Sequence, residues 1–406
     1  MVLLDSLPAP VFDAWLRSRG VTGAARIGGG LSGADIYRAR RGTAALSPLA
    51  EPLPQWAVRG WPPAVSAERV AEVHRVMRQA RRLGCQWTPA VEPLDAAASA
   101  AVAGAEEPRT WLVAAGRVWD CCQWMPGQPW SFSEVAGAEE LVEVLRQIAA
   151  AVAQFHAAVR PLSEPVPMGP ISSELLPSRS LAGGLVRGAV PAVAARLQRL
   201  QELERLLEPL LGPGVDPRAV SHRLFVPGSP LERARECLRQ AWGAERQRAV
   251  RLLRPWERVV IRQQYVFRDI HLGNVLLNEK RLSGIVDYDA VRIDTPATDL
   301  ARLVSSVRLA LPPDEWPRCE ERLWSEMLAA YRAAGEFSAE EEQLARVLAE
   351  VSPLISLANW LVWVAVEGRS FAGPAEAVTA RLEGWMRIMR QQMAAGLGNS
   401  TGIETR

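Results

Sequence analysis

Residues Tyr265 to Leu300 read YVFRDIHLGNVLLNEKRLSGIVDYDAVRIDTPATDL, and this stretch decides the fold. An apolar run leads to Asp269 and Asn274, which stand five residues apart and are expected on a loop. Two short strands joined by a polar turn follow, and they lead to Asp287. A further acid, Asp299, begins an amphipathic helix. A carboxylate, an amide oxygen and a second carboxylate in this order are what metal-assisted phosphoryl transfer requires.

The same residues have a simpler interpretation as a β-hairpin whose acids are ordinary turn residues. Each acid alone fits that interpretation, but the ordered set favours phosphoryl transfer. Because the transferred group is itself negatively charged, the protein must hold Mg²⁺ with hard oxygen ligands and must orient an acceptor hydroxyl.

The segment resembles the catalytic loop and metal strand of the aminoglycoside phosphotransferase and choline kinase family, relatives of the protein kinases. The family reads roughly H-G-D-L-H-x-G-N-V-L, I-D-F-D and D-L-A, and FRDIHLGNVL, IVDYDA and TDLA stand here in the same order. The resemblance implies an α+β, two-lobed, protein-kinase-like fold with an N-terminal antiparallel sheet lobe and a larger, mostly helical C-terminal lobe. It also implies that Asp269 is the catalytic carboxylate, that Asn274 and Asp287 hold Mg²⁺, and that Asp299 braces the catalytic loop.

A glycine-rich turn is predicted between two strands over residues 25–39. Glycines let backbone amides approach a phosphate with no Cβ in the way, although such a hairpin is more often just a turn. In a kinase-like chain it is the expected phosphate-covering loop. Its candidate ATP-binding residues are Gly28, Gly29, Gly30, Ser32 and Gly33.

The family carries a strand lysine that contacts the ATP phosphates, and here that position falls on Arg59. Lys280 is the only lysine of the chain. Arginine can bind phosphate bidentately, so Arg59 is the expected phosphate clamp, the alternative being a surface arginine at a strand end. The helix predicted over residues 66–83 would supply its acidic partner, either Glu68 or Glu72, and Glu72 is preferred because it lies deeper in the helix.

The run CCQWMPG at residues 121–127 resembles the hinge between the two lobes. Backbone groups of Gln123 and Met125 are expected to contact the adenine, although an edge strand followed by a turn explains the same letters. The predicted organisation is a nucleotide-binding lobe over residues 1–126, a catalytic and substrate-binding lobe over 127–394 and a disordered tail over 395–406.

Composition indicates a cytoplasmic protein. The net charge of the 406 residues is +2, which gives no sign of a nucleic-acid or membrane partner. Five scattered cysteines form no metal-ligand pattern and are expected to be buried thiols. The N-terminal residues lack the pattern of a signal peptide, and no apolar stretch is expected to reach membrane-spanning length.

The sequence therefore predicts an ATP- and Mg²⁺-dependent phosphotransferase that acts on a hydroxyl of a small metabolite or antibiotic. Arg59, together with Phe267-Arg268 in place of the family's His-Gly, keeps open a kinase-like binding or regulatory protein with little or no catalysis. A protein kinase is a weaker alternative because D-F-G and A-P-E segments are missing. The acceptor, ATP versus GTP and the oligomeric state are left open.

Overall fold

The structure is a computed structural model that describes residues 7–29, 33–41, 54–95, 108–130, 138–163, 180–182, 185–212, 225–312, 314–369 and 375–400. The described residues fall into two compact units. The N-terminal unit takes in those of Met1–Pro129 together with Val275–Asp289. The helical unit takes in those of Trp130–Asn274, Ala290–Ser370 and Pro374–Arg406. The second unit is therefore not the continuous stretch 127–394 that the sequence predicts.

A five-stranded antiparallel sheet dominates the N-terminal unit, with the strand order β1-β2-β3-β5-β4. Its strands are Val21–Gly29 (β1), Asp35–Arg41 (β2), Gln55–Gly60 (β3), Trp111–Ala114 (β4) and Arg117–Gln123 (β5). Alternation along β3 buries every second residue, which is the pattern of a strand with one face on the core. The register of β3 and β5 places Arg59 opposite Asp120.

Among the described residues, helices Ala9–Trp15 (α1) and Ala67–Arg82 (α2) accompany the sheet in this unit. Helix α2 begins where the sequence predicts, because the Ser66 side chain accepts a hydrogen bond from the Arg69 backbone N–H and so caps the first turn. Its buried face carries Val70, Val73 and Met77 at helical spacing.

A hairpin from the centre of the sequence belongs to the N-terminal unit. Strands Val275–Asn278 (β11) and Arg281–Ile285 (β12) pair with each other, and β11 also pairs with the short strand Gln128–Pro129 (β6). The turn residues Glu279 and Lys280 both have positive φ, of 49° and 65°, as a two-residue hairpin turn of this hand requires. The polar turn that the sequence predicts is therefore present without the usual Asn-Gly.

Gly127 allows the chain to pass closely under this hairpin. Its φ is +95°, and a Cβ at this position would lie 2.5 Å from the Leu277 carbonyl oxygen. Only glycine fits both the backbone conformation and the close approach. The Pro-Gly that ends the predicted hinge is thus needed for packing β6 against β11.

The helical unit contains helices Ala138–Val159 (α3), Pro191–Leu211 (α4), Pro230–Leu253 (α5), Ala297–Ala310 (α6), Trp316–Ala334 (α7), Ala339–Ala365 (α8) and Ala375–Ser400 (α9). Its short strands are Ser180–Ala182 (β7), Leu185–Gly188 (β8), Ile261–Arg262 (β9), Gln264–Val266 (β10) and Arg292–Asp294 (β13). Strands β7, β8 and β9 form one small sheet, and β10 pairs with β13 in another. Helix α9 continues past residue 395, where a tail was expected, and residues 401–406 lie outside the described residues.

Helix α8 corrects one sequence-based expectation. It is long and apolar enough to cross a membrane by length and composition, whereas no stretch of that length was expected. More than half of its most apolar window is buried inside the protein, and a core helix of a soluble protein passes the same test. A capping box formed by Ser338 and Glu341 starts the helix.

Candidate active site

In the N-terminal unit, Arg59 lies between two aspartates. Its Nη2 is 3.0 Å from Oδ2 of Asp120, and its Nη1 hydrogen-bonds to Oδ1 of Asp289. The guanidinium carbon lies 3.6 Å from the ring centroid of Trp61, so the cation also stacks on an indole. Burial lowers the pKa of Arg59, but the two carboxylates outweigh it and raise the pKa above its usual value. Arg59 is therefore a fixed, fully charged group.

Asp120 is buried and receives three donors on one carboxylate oxygen. These come from Arg59, from Trp61 Nε1 at 2.7 Å and from His74 Nε2 at 3.0 Å. The other ring nitrogen of His74 lies 2.7 Å from the Thr110 hydroxyl. Burial raises the pKa of Asp120, yet Arg59 and His74 hold it well below its ordinary range. The sequence predicts a packed or capping histidine at position 74. The structure shows that His74 is buried and that it positions Asp120.

The expected pairing of Arg59 with Glu72 is wrong. Glu72 instead lies 2.6 Å from Nη1 of Arg69, one turn earlier on α2, and the described partners of Arg59 are Asp120 and Asp289. The acid that balances the strand cation therefore comes from the neighbouring strand. The helix contributes the histidine behind that acid.

The side chains of His74, Asp120 and Cys122 bring three potential metal-ligand atoms within 4.8 Å of one another. The Asp120 oxygen in this group already accepts three hydrogen bonds, one of them from a cation. Burial raises the pKa of the Cys122 thiol well above its usual value, which disfavours the thiolate that binds metals. We therefore interpret this cluster as a hydrogen-bond network.

Asp287 follows the hairpin with its side chain exposed and its φ at 63°. Buried Tyr288 fixes the next position, because its hydroxyl donates to the Thr88 hydroxyl at 3.0 Å. Asp289 then joins Arg59 through its carboxylate and Arg69 through its carbonyl oxygen, at 2.9 Å. Of the two acids after the hairpin, Asp287 is therefore exposed, whereas Asp289 is paired with Arg59.

The other candidate nucleotide-binding residues lie near the ends of β1 and β5, or outside the described residues. Gly28 and Gly29 end β1 and Gly33 has a φ of +78°, whereas Gly30 and Ser32 lie outside the described residues. The Gln123 N–H donates to the Ala90 carbonyl at 2.8 Å, so it is already engaged. No described residue hydrogen-bonds to the backbone of Met125, which leaves both of its backbone groups available for an adenine edge.

In the helical unit, Asp299 of α6 supports the catalytic loop from beneath. This fully buried carboxylate accepts the backbone N–H groups of Phe267 at 2.8 Å and Arg268 at 2.6 Å. Its Oδ2 also lies 2.9 Å from Nε2 of His156, whose Nδ1 is 2.6 Å from the Tyr331 hydroxyl. The bracing role implied for Asp299 is what the structure shows.

The histidine beneath the loop comes from a distant helix. Phe267 occupies the motif position where the family has histidine, and it stacks on Phe155 of α3 with centroids 4.0 Å apart. His156, the next residue of α3, reaches Asp299. From the sequence alone, His156 in the stretch QFHAAV is expected to be a packed histidine. A catalytic motif that lacks its usual histidine, together with a histidine on an earlier helix, is the sequence signal that could have revealed the role of His156.

Asp269 and Asn274 are joined by the loop itself. Asn274 ends a 3₁₀ turn, and its Nδ2 donates to the Asp269 backbone carbonyl at 3.0 Å. Because the amide nitrogen is occupied, the amide oxygen is the atom left to face a ligand. The Asp269 side chain is 43% exposed, and Arg302 of α6 donates to its Oδ1 from Nε at 2.8 Å. This loop therefore presents one carboxylate and one amide oxygen.

Arg268 holds a strained backbone conformation. Its φ is +64°, in the left-handed region where a side chain costs about 1–2 kcal/mol. We expect Arg268→Gly to be about 1 kcal/mol more stable than Arg268→Ala, because both lose the side chain and only glycine relieves the strain. Urea unfolding of the two variants measures the difference. An alanine variant as stable as the glycine variant would contradict the prediction.

Comparison with known proteins identifies the family. The model described as phosphotransferase enzyme family (APH) matches residues 32–340, which is most of the chain. The chain belongs to this family. The family's motif positions hold the Asp269–Asn274 loop and the Asp287–Asp289 segment described above. No curated protein sequence matches significantly.

Solved structures of phosphotransferases share the fold. A spectinomycin phosphotransferase in complex with ADP and spectinomycin is 11% identical, with a TM-score of 0.52 over 91% of this chain and 92% of that one. An amicoumacin kinase in complex with AMP-PNP and Ca²⁺ is 11% identical, with a TM-score of 0.51 over 94% and 92%. Plasmodium vivax ethanolamine kinase is 10% identical, with a TM-score of 0.50 over 95% and 86%. The predicted kinase-like fold is confirmed.

Proposed function

We propose that this member of the APH family transfers the γ-phosphoryl group of ATP, with Mg²⁺, to a hydroxyl group of a small molecule. One observation carries the proposal: Asp299 fixes the backbone just before Asp269, so a half-exposed carboxylate is held on a rigid loop. A group that orients a hydroxyl and takes its proton needs this combination of access and rigidity.

The residues of the chain supply distinct parts of the reaction. Asp269 would accept a hydrogen bond from the acceptor hydroxyl and take its proton as the new P–O bond forms. The Asn274 amide oxygen and the exposed Asp287 carboxylate are oxygen atoms of the hard kind that Mg²⁺ prefers. When bound, Mg²⁺ would neutralise phosphate charge. Met125 offers backbone groups for adenine, and Arg59 offers a fixed cation for phosphate.

The ligands of the related structures support a nucleotide and a small acceptor. One neighbour is bound to ADP and spectinomycin and another to AMP-PNP and Ca²⁺, and a third is an ethanolamine kinase. These proteins share only the fold with this chain, so they favour a reaction class and leave the acceptor open.

One observation favours a second candidate, a nucleotide-binding protein with little catalysis. Arg59 already contacts both Asp120 and Asp289, so its charge is balanced before any phosphate arrives. A cation committed in this way would clamp ATP more weakly than a strand lysine with one acidic partner.

Thermal unfolding with nucleotide separates these possibilities. We expect Mg²⁺-ATP to stabilise the wild type, by about 2.7 kcal/mol at one hundred times Kd, and ATP without Mg²⁺ to stabilise it less. The Mg²⁺-dependent part should vanish in Asp287→Asn, because asparagine tolerates the positive φ but lacks the charge. It should persist in Glu279→Gln, an exposed acid on the same hairpin.

The outcomes lead to different conclusions. No stabilisation of the wild type by any nucleotide would rule out the phosphotransferase. Mg²⁺-dependent stabilisation without ADP formation across a panel of hydroxylated metabolites and antibiotics would favour the second candidate. ADP formation that depends on one acceptor would establish the first.

A further inference from the structure

A cavity of about 250 Å³ lies in the helical unit, and its walls come from helices α5 to α9. Helix α6 contributes Val304 and Arg308 to these walls. Arg302 and Ser306 of the same helix contact the catalytic loop instead. Because successive residues of an α-helix are roughly 100° apart, the two pairs lie on opposite sides of α6. The cavity is therefore separate from the candidate active site.

Three tryptophans give the cavity an aromatic lining. Trp316 and Trp324 of α7 and Trp385 of α9 are all buried, and all three line the cavity. Its volume lies just below the roughly 300–1,000 Å³ that is usual for sites of drug-sized ligands. The cavity therefore suits a small molecule with an apolar body.

Two charged side chains of the lining, Arg308 and Glu320, form no ion pair with any described residue. Nε of Arg308 is buried and donates no hydrogen bond. The guanidinium carbon lies 5.4 Å from the ring centroid of Trp316, which gives the cation an aromatic neighbour but no counter-ion. A partly buried charge without a partner is unfavourable, so both side chains would gain from a charged ligand.

The other charged side chains of the lining already have partners. Arg346 pairs with one glutamate of α7 at 2.8 Å and with one of α8 at 3.1 Å. Glu350 pairs with Arg248 at 2.5 Å. One cation, Arg308, and one carboxylate, Glu320, are thus left for a ligand in the same cavity.

The local electrostatics agree with this assignment. Burial lowers the pKa of Arg308, although Glu320 and Glu350 oppose the shift. Burial raises the pKa of Glu320, and Arg308 opposes that shift in turn. The two unpaired groups therefore influence each other without forming an ion pair, and a ligand with one charge of each sign would offset the burial of both.

A proline adds a backbone acceptor to the same lining. Pro353 lies inside α8 and has no N–H, so the Ala349 carbonyl, four residues earlier, lacks its usual helical donor. Both residues line the cavity. This carbonyl is a further acceptor for a ligand that carries N–H groups.

We propose that this cavity binds a free amino acid with an apolar side chain. Arg308 would bind its carboxylate through paired N–H donors, Glu320 would bind its ammonium group, and the indoles would pack against its side chain. An anion would be repelled by Glu320 and a cation by Arg308, so the lining favours a zwitterion. This site does not depend on the proposed function, because the catalytic loop lies on the other side of α6.

Four compounds separate these contacts: L-phenylalanine, N-acetyl-L-phenylalanine, L-phenylalaninamide and glycine. The second lacks the ammonium charge, the third lacks the carboxylate, and the fourth lacks the apolar side chain. Calorimetric titration of the protein without nucleotide measures the Kd of each. We expect L-phenylalanine to bind at least about tenfold more tightly than any of the other three.

Two variants test the assigned contacts. Arg308→Gln should weaken the binding of L-phenylalanine about tenfold or more and leave that of L-phenylalaninamide unchanged, because the amide has no carboxylate. Glu320→Gln should weaken both and leave N-acetyl-L-phenylalanine unchanged. Arg196→Gln and Glu326→Gln are the matched controls, because both residues are partly buried in the helical unit but do not line the cavity. They should leave all four Kd values unchanged.

The four compounds test the proposal on the wild type even if a variant fails to fold. Equal binding of all four, or no binding of L-phenylalanine, overturns it. Tighter binding of N-acetyl-L-phenylalanine would indicate a simple carboxylate as the occupant and also overturns it. Asp269→Asn should bind L-phenylalanine as the wild type does, and a loss of binding would place the amino acid at the candidate active site. Because these titrations need neither nucleotide nor turnover, their failure is distinct from a failure of the proposed function.

Discussion

Asp269→Asn should lower the kcat of phosphoryl transfer by a factor of about 10²–10⁴, the usual contribution of a general base. Asparagine has nearly the same shape, and its amide oxygen can still accept the hydrogen bond that Arg302 donates to Oδ1. The loop is held through its backbone by Asp299, so the substitution should not move it. What is lost is the charge that orients the acceptor hydroxyl and takes its proton.

The measurement is ADP formation with the acceptor found by screening, together with thermal stabilisation by Mg²⁺-ATP. The stabilisation should be retained while turnover falls. Glu326→Gln serves as the control, because Glu326 is another partly buried acid paired with an arginine, Arg146 at 2.7 Å. A variant at Asp269 with full turnover would assign the proton transfer to a different group.

Asp120→Asn should lower the free energy of unfolding by about 3 kcal/mol, because it removes one charge from a buried pair and leaves the other uncompensated. Three donors converge on one Asp120 oxygen, and a neutral amide cannot satisfy them equally. Arg59 would keep only Asp289. We also expect weaker Mg²⁺-ATP binding, since Arg59 loses the partner that fixes its position on β3.

Urea unfolding gives the stability change, and the control is Glu92→Gln. Glu92 pairs with Arg19 at 3.0 Å but is partly exposed, so its loss should cost no more than about 1 kcal/mol. Equal effects of the two variants would mean that the Asp120 network contributes little to stability.

Local patterns predicted the elements well. The sequence predicts a long helix over residues 138–159, which are the bounds of α3, and the hairpin with its polar turn lies where the catalytic segment requires it. Both follow from short-range chemistry: apolar residues at helical spacing in one case, and two apolar runs around a polar turn in the other. The order of acids in the segment was enough to predict the family.

The partner of Arg59 could not be predicted in this way. The choice between Glu68 and Glu72 considered only α2, whereas Asp120 reaches Arg59 through the pairing of β3 with β5. These strands are not consecutive, so their register depends on the sheet order as a whole. Helical spacing places His74 within the predicted helix, but it gives no sign of Asp120, the acid that His74 contacts.

The hairpin that joins the N-terminal unit from the middle of the sequence has a consequence for synthesis on the ribosome. Strand β6 cannot pair with β11, and Arg59 cannot pair with Asp289, until residues 130–274 have been synthesised. At about 5–20 residues per second, translation leaves that unit unfinished for on the order of ten seconds. During this interval the nascent chain carries an unpaired strand and a half-balanced cation, so chaperone binding would matter most before residue 289 emerges.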